Sequence, residues 1–145
     1  MGRSIPAVDR TLVICKPDAV ERGLVGEIMG RFERKGLRMV AAELRTLDHE
    51  VLARHYAEHV GKGFYDDLVA FMSRGPVLVA VVEGPEDTWS VVRQMMGATD
   101  PMKASAGTIR GDFGTMVTEN LVHGSDSAES ARREAGIFFP DLQQE

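Results

Sequence analysis

A short string near the C-terminus, from Asn120 to Ser125 (NLVHGS), contains the residue type best suited to chemistry. It has the pattern of a buried apolar strand that ends in the imidazole of His123 and a glycine turn. A glycine at a strand tip lets a ligand approach closely, because no side chain projects from its Cα. Asp126 is a favourable N-cap and Glu129 stands three residues later, so we expect a helix N-terminus beside the imidazole. An imidazole beside such an anion-binding end could hold a phosphate or attack it, and a hydrogen-bonded structural histidine is the alternative.

Basic and polar residues elsewhere in the chain could bind the phosphate, although each is a weak signal alone. Lys16 ends the first predicted strand and precedes a proline, which makes the turn stiff. Arg110 stands in a compact loop segment, where its guanidinium could hold phosphate bidentately. Arg93 lies within a predicted helix, and Thr99 begins the loop that follows it. For Lys16 and Arg93 the alternative is a solvated surface side chain.

The common nucleotide-binding and hydrolase motifs do not fit. A Walker A loop at Gly61 would need glycine where Tyr56 stands and serine or threonine where Gly63 stands. Residues 23–26 (GLVG) lack the Gly-x-Gly of a dinucleotide-binding turn. Ser125 is not followed by the glycine of a nucleophile elbow, and neither HExxH nor a cysteine pair offers metal ligands. If the chain binds nucleotide, it does so without these loops.

The elements that must position these residues alternate between strands and helices along the chain. Apolar runs predict strands at residues 10–15, 38–46, 76–83 and 121–123. Helical spacing predicts helices at residues 24–32 with a Gly36 C-cap, 49–59, 65–73, 86–96 closed by Gly97, and 127–138. Residues 98–118 predict a long ordered loop, which is usually functional. This order predicts an α+β sandwich of ferredoxin-like βαββαβ type, with an antiparallel sheet covered by helices.

Composition narrows the class of protein. A chain of 145 residues with 43% hydrophobic and 27% charged residues predicts one globular domain over residues 1–145, with loosely held ends at 1–8 and 140–145. No run is long enough to span a membrane. A net charge of -5 argues against dedicated nucleic-acid binding. A single cysteine, Cys15, allows no intrachain disulfide and suits a reducing cytoplasm.

Six strings in this order make the chain resemble the nucleoside diphosphate kinases: ICKPDA, HYAEH, GPVLVAVVEG, VVRQMMGATDP, GTIRGDF and NLVHGSDSAESA. The resemblance extends from about residue 10 to residue 139, and NLVHGSDS is its most specific motif. It implies that His123 is transiently phosphorylated on Nδ1. It further implies a phosphate-binding set, a base- and sugar-binding set, and groups around the histidine. The phosphate-binding set consists of Lys16, Arg93, Thr99 and Arg110. The base- and sugar-binding set consists of Phe64, Val117, Asn120 and Lys16, and the groups around the histidine are Tyr56, Ser125 and Glu134.

The resemblance implies a two-step reaction at one site. ATP phosphorylates His123 and leaves as ADP, and a second nucleoside diphosphate then takes the phosphate, which maintains NTP and dNTP pools. Mg²⁺ is the expected cofactor, held mainly by the nucleotide phosphates with no direct protein ligand. Stacking on Phe64 would accept any base. The resemblance also implies a homo-oligomer, with a hexamer favoured over a tetramer.

Four residues depart from the usual family pattern, although none removes a catalytic group: Gly63, Ala106, Glu119 and Gly136. Gly63 and Ala106 stand where relatives have proline, and Glu119 puts a carboxylate near the site. Two other classes of protein are alternatives. An RNA-binding module shares the βαββαβ order but would need basic charge and aromatic middle strands. A catalytically idle regulator with the same fold is disfavoured by the complete set of site residues.

Overall fold

The computed structural model describes residues 8–142, in which one antiparallel sheet carries helices on both faces. Its strands, in the spatial order β2-β3-β1-β4, are β1 (Val8–Cys15), β2 (Arg38–Arg45), β3 (Val77–Pro85) and β4 (Val122–Gly124). The helices are α1 (Pro17–Glu21), α2 (Val25–Lys35), α3 (His49–His55), α4 (Tyr65–Met72), α5 (Thr88–Met96), α6 (Ile109–Phe113) and α7 (Ala128–Phe138). Short 3₁₀ turns occupy Ala57–His59 and Pro101–Lys103. The predicted ferredoxin-like α+β class is confirmed.

The two central strands are apolar on both faces, because each face packs under a separate layer of helices. In β1, Val13 and Cys15 face a core shared with α2 and α5, whereas Leu12 and Ile14 face one shared with α3, α4 and α7. All four side chains are fully buried. This two-sided burial explains why the strand is a continuous apolar run rather than an alternating one.

The register of the sheet brings the ends of β1 and β4 together. Ile14 pairs with His123 and Cys15 pairs with Val122 in the antiparallel ladder. The backbone N–H of Lys16 then donates to the carbonyl of Leu121 over 2.9 Å. The two residues singled out first in the sequence, Lys16 and His123, therefore lie at one end of the same strand pair.

Several predicted boundaries shift. The predicted helix over residues 49–59 divides into α3 and a 3₁₀ turn, a difference that hydrophobic spacing cannot resolve over one turn. The predicted loop over residues 98–118 contains α6, whose N-cap Thr108 accepts from Gly111 N–H. The helix α1 was not predicted, because five residues are too few for a periodic signal. The Gly36 C-cap is confirmed, with φ of +100°.

The predicted capping box at Asp126 and Glu129 is wrong by one residue. The N-cap of α7 is Ser127, whose Oγ accepts from the N–H of Ser130 over 3.0 Å. Ser125 follows the end of β4 but is still bonded to β1, because its N–H donates to the carbonyl of Leu12 over 3.3 Å. That bond delays the turn into the helix and leaves Asp126 exposed.

The predicted loose ends lie largely outside the described residues. Residues 1–7 and 143–145 are not among them, whereas Val8 pairs with Pro85 at the start of β1. Within residues 8–142, no helix combines the length and the apolar character needed to cross a membrane.

Candidate active site

His123 is held at the end of β4 by a carboxylate from α7. Its Nε2 lies 2.8 Å from Oε1 of Glu134, and the Oγ of Ser125 donates to the same oxygen over 2.8 Å. Glu134 and Ser125 are buried, and the imidazole keeps about a fifth of its side chain exposed (20%). The three predicted residues therefore form one connected group, with the imidazole edge as its accessible part.

The ionised carboxylate of Glu134 fixes the tautomer of His123. Burial raises the pKa of the Glu134 carboxyl. Hydrogen bonds from His123 and Ser125, together with the neighbouring imidazoles, lower it by more than burial raises it, so the net shift is downward. A carboxylate accepts hydrogen bonds and donates none, so Nε2 must carry the imidazole proton. Nδ1 is then the ring nitrogen with a free lone pair, which is the form that acts as a nucleophile.

A pocket of about 170 Å³ opens beside this imidazole. Its walls include His123, Gly124, Tyr56 and Arg93. The Nη1 of Arg93 donates to the carbonyl of Gly124 over 3.0 Å, which fixes the cation next to the histidine. A positive charge on the same pocket wall as the imidazole suits the binding of an anionic group there.

A second polar row connects three predicted residues beside the pocket. The Nζ of Lys16 donates to Oδ1 of Asn120 over 2.8 Å, and Nδ2 of Asn120 donates to the carbonyl of Thr99 over 3.0 Å. The pKa of Lys16 is lowered to about 8, mainly by burial and then by the nearby Arg110, against the opposing effect of Asp18. Because burial disfavours the charged form of Lys16, an approaching negative group would stabilise its ammonium.

Arg110 is buried, with 5% exposure, and binds the backbone around the site. Its Nε donates to the carbonyl of Asn120 (3.1 Å), its Nη1 to that of Gly97 (3.1 Å), and its Nη2 to that of Val122 (2.6 Å). Burial is the main reason why its pKa is lowered to about 10, and Arg93 contributes. The guanidinium thus fastens the loop, the end of α5 and β4 to one another.

The predicted base-binding residues lie at the outer edge of this region. Phe64 and Val117 are about half exposed, at 52% and 54%. Phe64 contacts His59, with ring centroids 5.2 Å apart, and His59 is part of the pocket wall with Tyr56. Val117 lies in the turn closed by the bridge between Met116 and Glu119. The structure therefore brings Tyr56 to the histidine, and leaves two apolar side chains facing solvent.

Asp18 supports the site in a way that sequence reasoning missed. Leu121 has a φ of +76°, a left-handed backbone that leucine rarely adopts, and its N–H donates to Oδ2 of buried Asp18 over 3.1 Å. This contact fixes the chain between Asn120 and His123. The signal available was the acidic residue in ICKPDA, but nothing in the string indicates its partner.

His55 is the other residue that sequence reasoning missed. It ends α3, is 4% exposed, and lies edge-on to the imidazole of His123 with ring centroids 4.7 Å apart. Burial and then the nearby His123 lower the pKa of His55 to about 3, against the opposing effect of Glu134, so the ring is neutral. Its only signal in the sequence was its place before Tyr56 in HYAEH.

The departures from the family pattern leave this arrangement intact. The predicted carboxylate of Glu119 forms an ion pair with Arg74, whose Nη2 lies 3.0 Å from it and 2.6 Å from Glu21. Gly63 and Ala106 are exposed, and Gly136 lies in α7 with open space where a Cβ would stand.

Comparisons with known proteins agree with this geometry. A family model described as nucleoside diphosphate kinase matches residues 9–143. The nucleoside diphosphate kinase of Saccharopolyspora erythraea is 58% identical over 135 residues, covering 92% of this chain and 98% of the relative. That of Mycolicibacterium paratuberculosis is 58% identical over 134 residues, with coverages of 92% and 98%.

Solved structures are similar over the same extent. A nucleoside diphosphate kinase family protein from Babesia bovis superposes with a TM-score of 0.89 at 46% identity, covering 94% of each chain. A halophilic nucleoside diphosphate kinase from Halobacterium salinarum, solved in complex with CDP, gives 0.88 at 46% identity, covering 94% of this chain and 93% of that one.

These similarities extend over nearly the whole chain and include the strand, helix and loop that build the site. Nucleoside diphosphate kinases are phosphotransferases that bind nucleotides, move phosphate from a triphosphate to a diphosphate, and use a divalent cation. With a matching family model and relatives 58% identical, the chain belongs to the nucleoside diphosphate kinase family.

Proposed function

We propose that the protein transfers phosphate between nucleotides by a ping-pong reaction through a phosphohistidine on His123. One observation carries the proposal: Nε2 of the imidazole is bound to Glu134, which leaves the Nδ1 lone pair for the pocket. The alternative of an idle protein with this fold does not account for a nucleophile prepared in this way. We place the activity in the cytoplasm, where it would maintain NTP and dNTP pools; the single free cysteine suits that compartment.

In the first half-reaction, Nδ1 of His123 attacks the γ-phosphorus of a nucleoside triphosphate. A bond from nitrogen to phosphorus forms, the bond from phosphorus to the bridging oxygen breaks, and the nucleoside diphosphate leaves with that oxygen. The imidazole becomes positive in this step, and the carboxylate of Glu134 on Nε2 stabilises the charge. In the second half-reaction, an oxygen of another diphosphate attacks the phosphorus and restores the neutral imidazole.

The remaining residues position the nucleotide. We assign Arg93, Lys16, Thr99 and Arg110 to its phosphates, with Tyr56 beside the transferred group. Asn120 and Lys16, which are joined over 2.8 Å, would bind the sugar hydroxyls. The base would lie between Phe64 and Val117, the two half-exposed apolar side chains at the outer edge. Stacking without hydrogen bonds to the base would admit purines and pyrimidines alike.

Mg²⁺ would enter as part of the substrate, on the phosphate oxygens. Mg²⁺ prefers octahedral oxygen ligands. Among residues 8–142, a group of three potential metal ligands consists of His55, His123 and Glu134, and two imidazoles do not fit that preference. The nucleotide itself therefore supplies the better ligands.

We also propose a homo-oligomer built from dimers, with a hexamer favoured over a tetramer. β2 is the end strand of the sheet, and Leu44 on it is 61% exposed. Such an edge is normally covered or paired. In the loop before α6, Met102 is 74% exposed, which would suit a second contact between dimers.

Labelling tests the phosphohistidine. Purified protein incubated with γ-labelled ATP and Mg²⁺ should gain one phosphate that survives base and is lost in acid. His123→Ala should gain none, while His49→Ala, a change at an exposed histidine, should be labelled as the unchanged protein is. Acid-stable label on Ser125 would contradict the mechanism.

Steady-state kinetics test the order of events. Double-reciprocal plots at several fixed diphosphate concentrations should be parallel, because the first product leaves before the second substrate binds. Nucleoside diphosphates with adenine, guanine, cytosine or uracil as the base should all be accepted. Intersecting lines, or a single usable base, would refute a shared site on Phe64.

A further inference from the structure

His55 has polar atoms that the proposed reaction does not use. Both ring nitrogens are buried, and neither has a hydrogen-bond partner among the described residues. Its neighbours are rings: Tyr56, His123 and Phe138, with centroids at 4.5, 4.7 and 5.3 Å. Buried polar atoms are nearly always paired, and leaving them unpaired is costly. If His55 served only for packing against Tyr56 and Phe138, an apolar ring would avoid the cost of two unpaired nitrogens.

The unpaired imidazole lies close to two other potential metal ligands. One nitrogen of His55, one nitrogen of His123 and a carboxylate oxygen of Glu134 all lie within 4.8 Å of one another. Ligand atoms of a tetrahedral zinc site, each about 2.0–2.1 Å from the metal, stand about 3.4 Å apart. Side-chain movements of about an ångström would therefore convert this group into a coordination site. The pocket beside His123 supplies room for a water at the fourth position.

We propose that His55, His123 and Glu134 form a binding site for a borderline transition-metal ion of the Zn²⁺ type, and that binding there inhibits the enzyme. Two imidazoles and one carboxylate with an open position are a ligand set that Zn²⁺ adopts in proteins. The same set is unsuited to Mg²⁺, which demands hard oxygen ligands in octahedral geometry. The site is thus distinct in its chemistry from the cation that accompanies the nucleotide.

The charges around the pocket permit a cation to enter. Glu58 and Asp126 lie on its wall and are exposed, and they offset the guanidinium groups of Arg93 and Arg133 on the same wall. Arg133 is 3.9 Å from Oε2 of Glu134, which leaves Oε1 as the coordinating oxygen. With the carboxylate of Glu134 added, the pocket wall carries three carboxylates against two guanidinium groups.

Inhibition follows from the position of one proton, and this part of the inference rests on the proposed phosphohistidine. A neutral imidazole that coordinates a metal through Nε2 carries its proton on Nδ1. The Nδ1 lone pair that should attack phosphorus is then absent. The metal also displaces the hydrogen bond from Nε2 to Glu134, which is 2.8 Å long in its absence. Zn²⁺ should therefore block phosphorylation and leave the fold unchanged.

Metal binding is tested without any turnover. Nucleotide-free protein titrated with Co²⁺ should develop the intense visible bands of four-coordinate cobalt, and Zn²⁺ should remove them. His55→Phe keeps an aromatic ring in the cluster and should weaken Zn²⁺ binding by at least about 100-fold, since loss of a residue that merely hydrogen-bonds a ligand costs roughly 10- to 100-fold. His49→Ala, at an exposed histidine, should bind as the unchanged protein does.

A measurement on the unchanged protein covers the case in which His55→Phe fails to fold. X-ray absorption of the Zn²⁺ complex should give two imidazole scatterers and a coordination number of four. Six-coordinate oxygen-only zinc, or undiminished Zn²⁺ binding in a folded His55→Phe protein, would overturn the site.

The functional consequence has its own measurement. Zn²⁺ added before labelled ATP should abolish phosphoenzyme formation, and a chelator should restore it; in His55→Phe the fraction lost should be small. Tight binding to this ligand set with undiminished labelling would overturn the inhibition. If the unchanged protein forms no phosphohistidine even without zinc, the proposed function fails, while the cobalt and absorption results still decide the site.

Discussion

At His123, the location of a single proton decides whether Nδ1 has the free lone pair that the proposed reaction needs. Glu134 holds that proton on Nε2, and Ser125 donates to the same carboxylate oxygen, so the imidazole depends on a buried carboxylate that is itself fixed. In the proposed reaction, charge on the imidazole develops only during phosphorylation, so this hydrogen bond should strengthen in the transition state. Its energy should appear in the rate of phosphorylation more than in the affinity for nucleotide.

Glu134→Gln should slow phosphoenzyme formation by about 10- to 100-fold, which corresponds to the loss of one hydrogen bond to a charged group. The amide keeps the shape of the side chain but cannot neutralise the imidazolium. Rapid-quench measurement of labelled phosphoenzyme gives the rate. Glu129→Gln, an exposed change on the same helix, is the matched control. An undiminished rate in Glu134→Gln would show that the carboxylate is not needed to orient the histidine.

Lys16 should make nucleotide affinity depend on pH. Burial and Arg110 lower its pKa to about 8 in the free protein. A lysine is charged below its pKa, so affinity for a nucleoside diphosphate should be constant below pH 7 to 8 and fall as pH rises beyond that range. Calorimetric titrations between pH 7 and pH 10 measure this, and Lys16→Gln should bind weakly without that inflection. Equal pH profiles for the two proteins would assign the titration to another group.

The sequence located these residues better than it located the residues that support them. His123 and Lys16 could be named because their strings are specific, and the register of the strands brings them together. Glu134 came from the family resemblance, and it contacts His123 from α7. The support that Asp18 gives to Leu121 could not be named, because leucine at a φ of +76° has no signature in the sequence. The burial of His55 depends on how α3 packs on α7, which is a tertiary fact.

At the scale of elements, apolar spacing located the long helices and the central strands, and tertiary hydrogen bonds set their ends. The N-cap of α7 moved from Asp126 to Ser127 because the N–H of Ser125 is still bonded to β1. The loop before β4 has little periodicity, yet it is ordered by Arg110 and by Arg31, which pairs with Asp112 over 2.8 Å. Propensity alone does not contain such long-range contacts.

Two glycines at helix positions should respond oppositely to alanine. Gly136 lies within α7 and is exposed, with no atom within 4 Å of an added Cβ, so Gly136→Ala should raise the free energy of unfolding by about 0.5–1 kcal/mol. Gly36 also has open space but a φ of +100°, so Gly36→Ala should lower it by about 1 kcal/mol. Urea denaturation measures both. A destabilised Gly136→Ala protein would mean that α7 needs its glycine.

At the scale of the whole molecule, one of the two surfaces proposed for assembly is connected to the site through a continuous segment of chain. The segment that carries Met102 continues into α6, and α6 carries Arg110, which binds the carbonyls of Asn120 and Val122. Contacts between copies at Met102 would therefore stabilise the backbone on either side of Leu121. β2 stands at the far edge of the sheet from β4, so a dimer formed there would leave the pocket open.

Two substitutions should separate the two proposed contacts. Met102→Lys should convert hexamers into dimers, because it places a charge on a 74% exposed methionine in the loop, and Leu44→Lys should break the dimer itself at the edge of β2. Val60→Lys, at a residue 55% exposed outside both surfaces, is the control and should assemble normally. Native mass spectrometry and light scattering at micromolar concentration give the subunit number.

Denaturant should then link assembly to stability. Because subunit contacts stabilise only the folded protein, Met102→Lys should unfold at lower urea concentration than the unchanged protein, and its midpoint should depend less on protein concentration. Nucleotide affinity should fall with it, since the loop that carries Arg110 loses the support of neighbouring copies. An unchanged protein that is monomeric, stable and fully active at micromolar concentration would refute the proposed assembly and the coupling together.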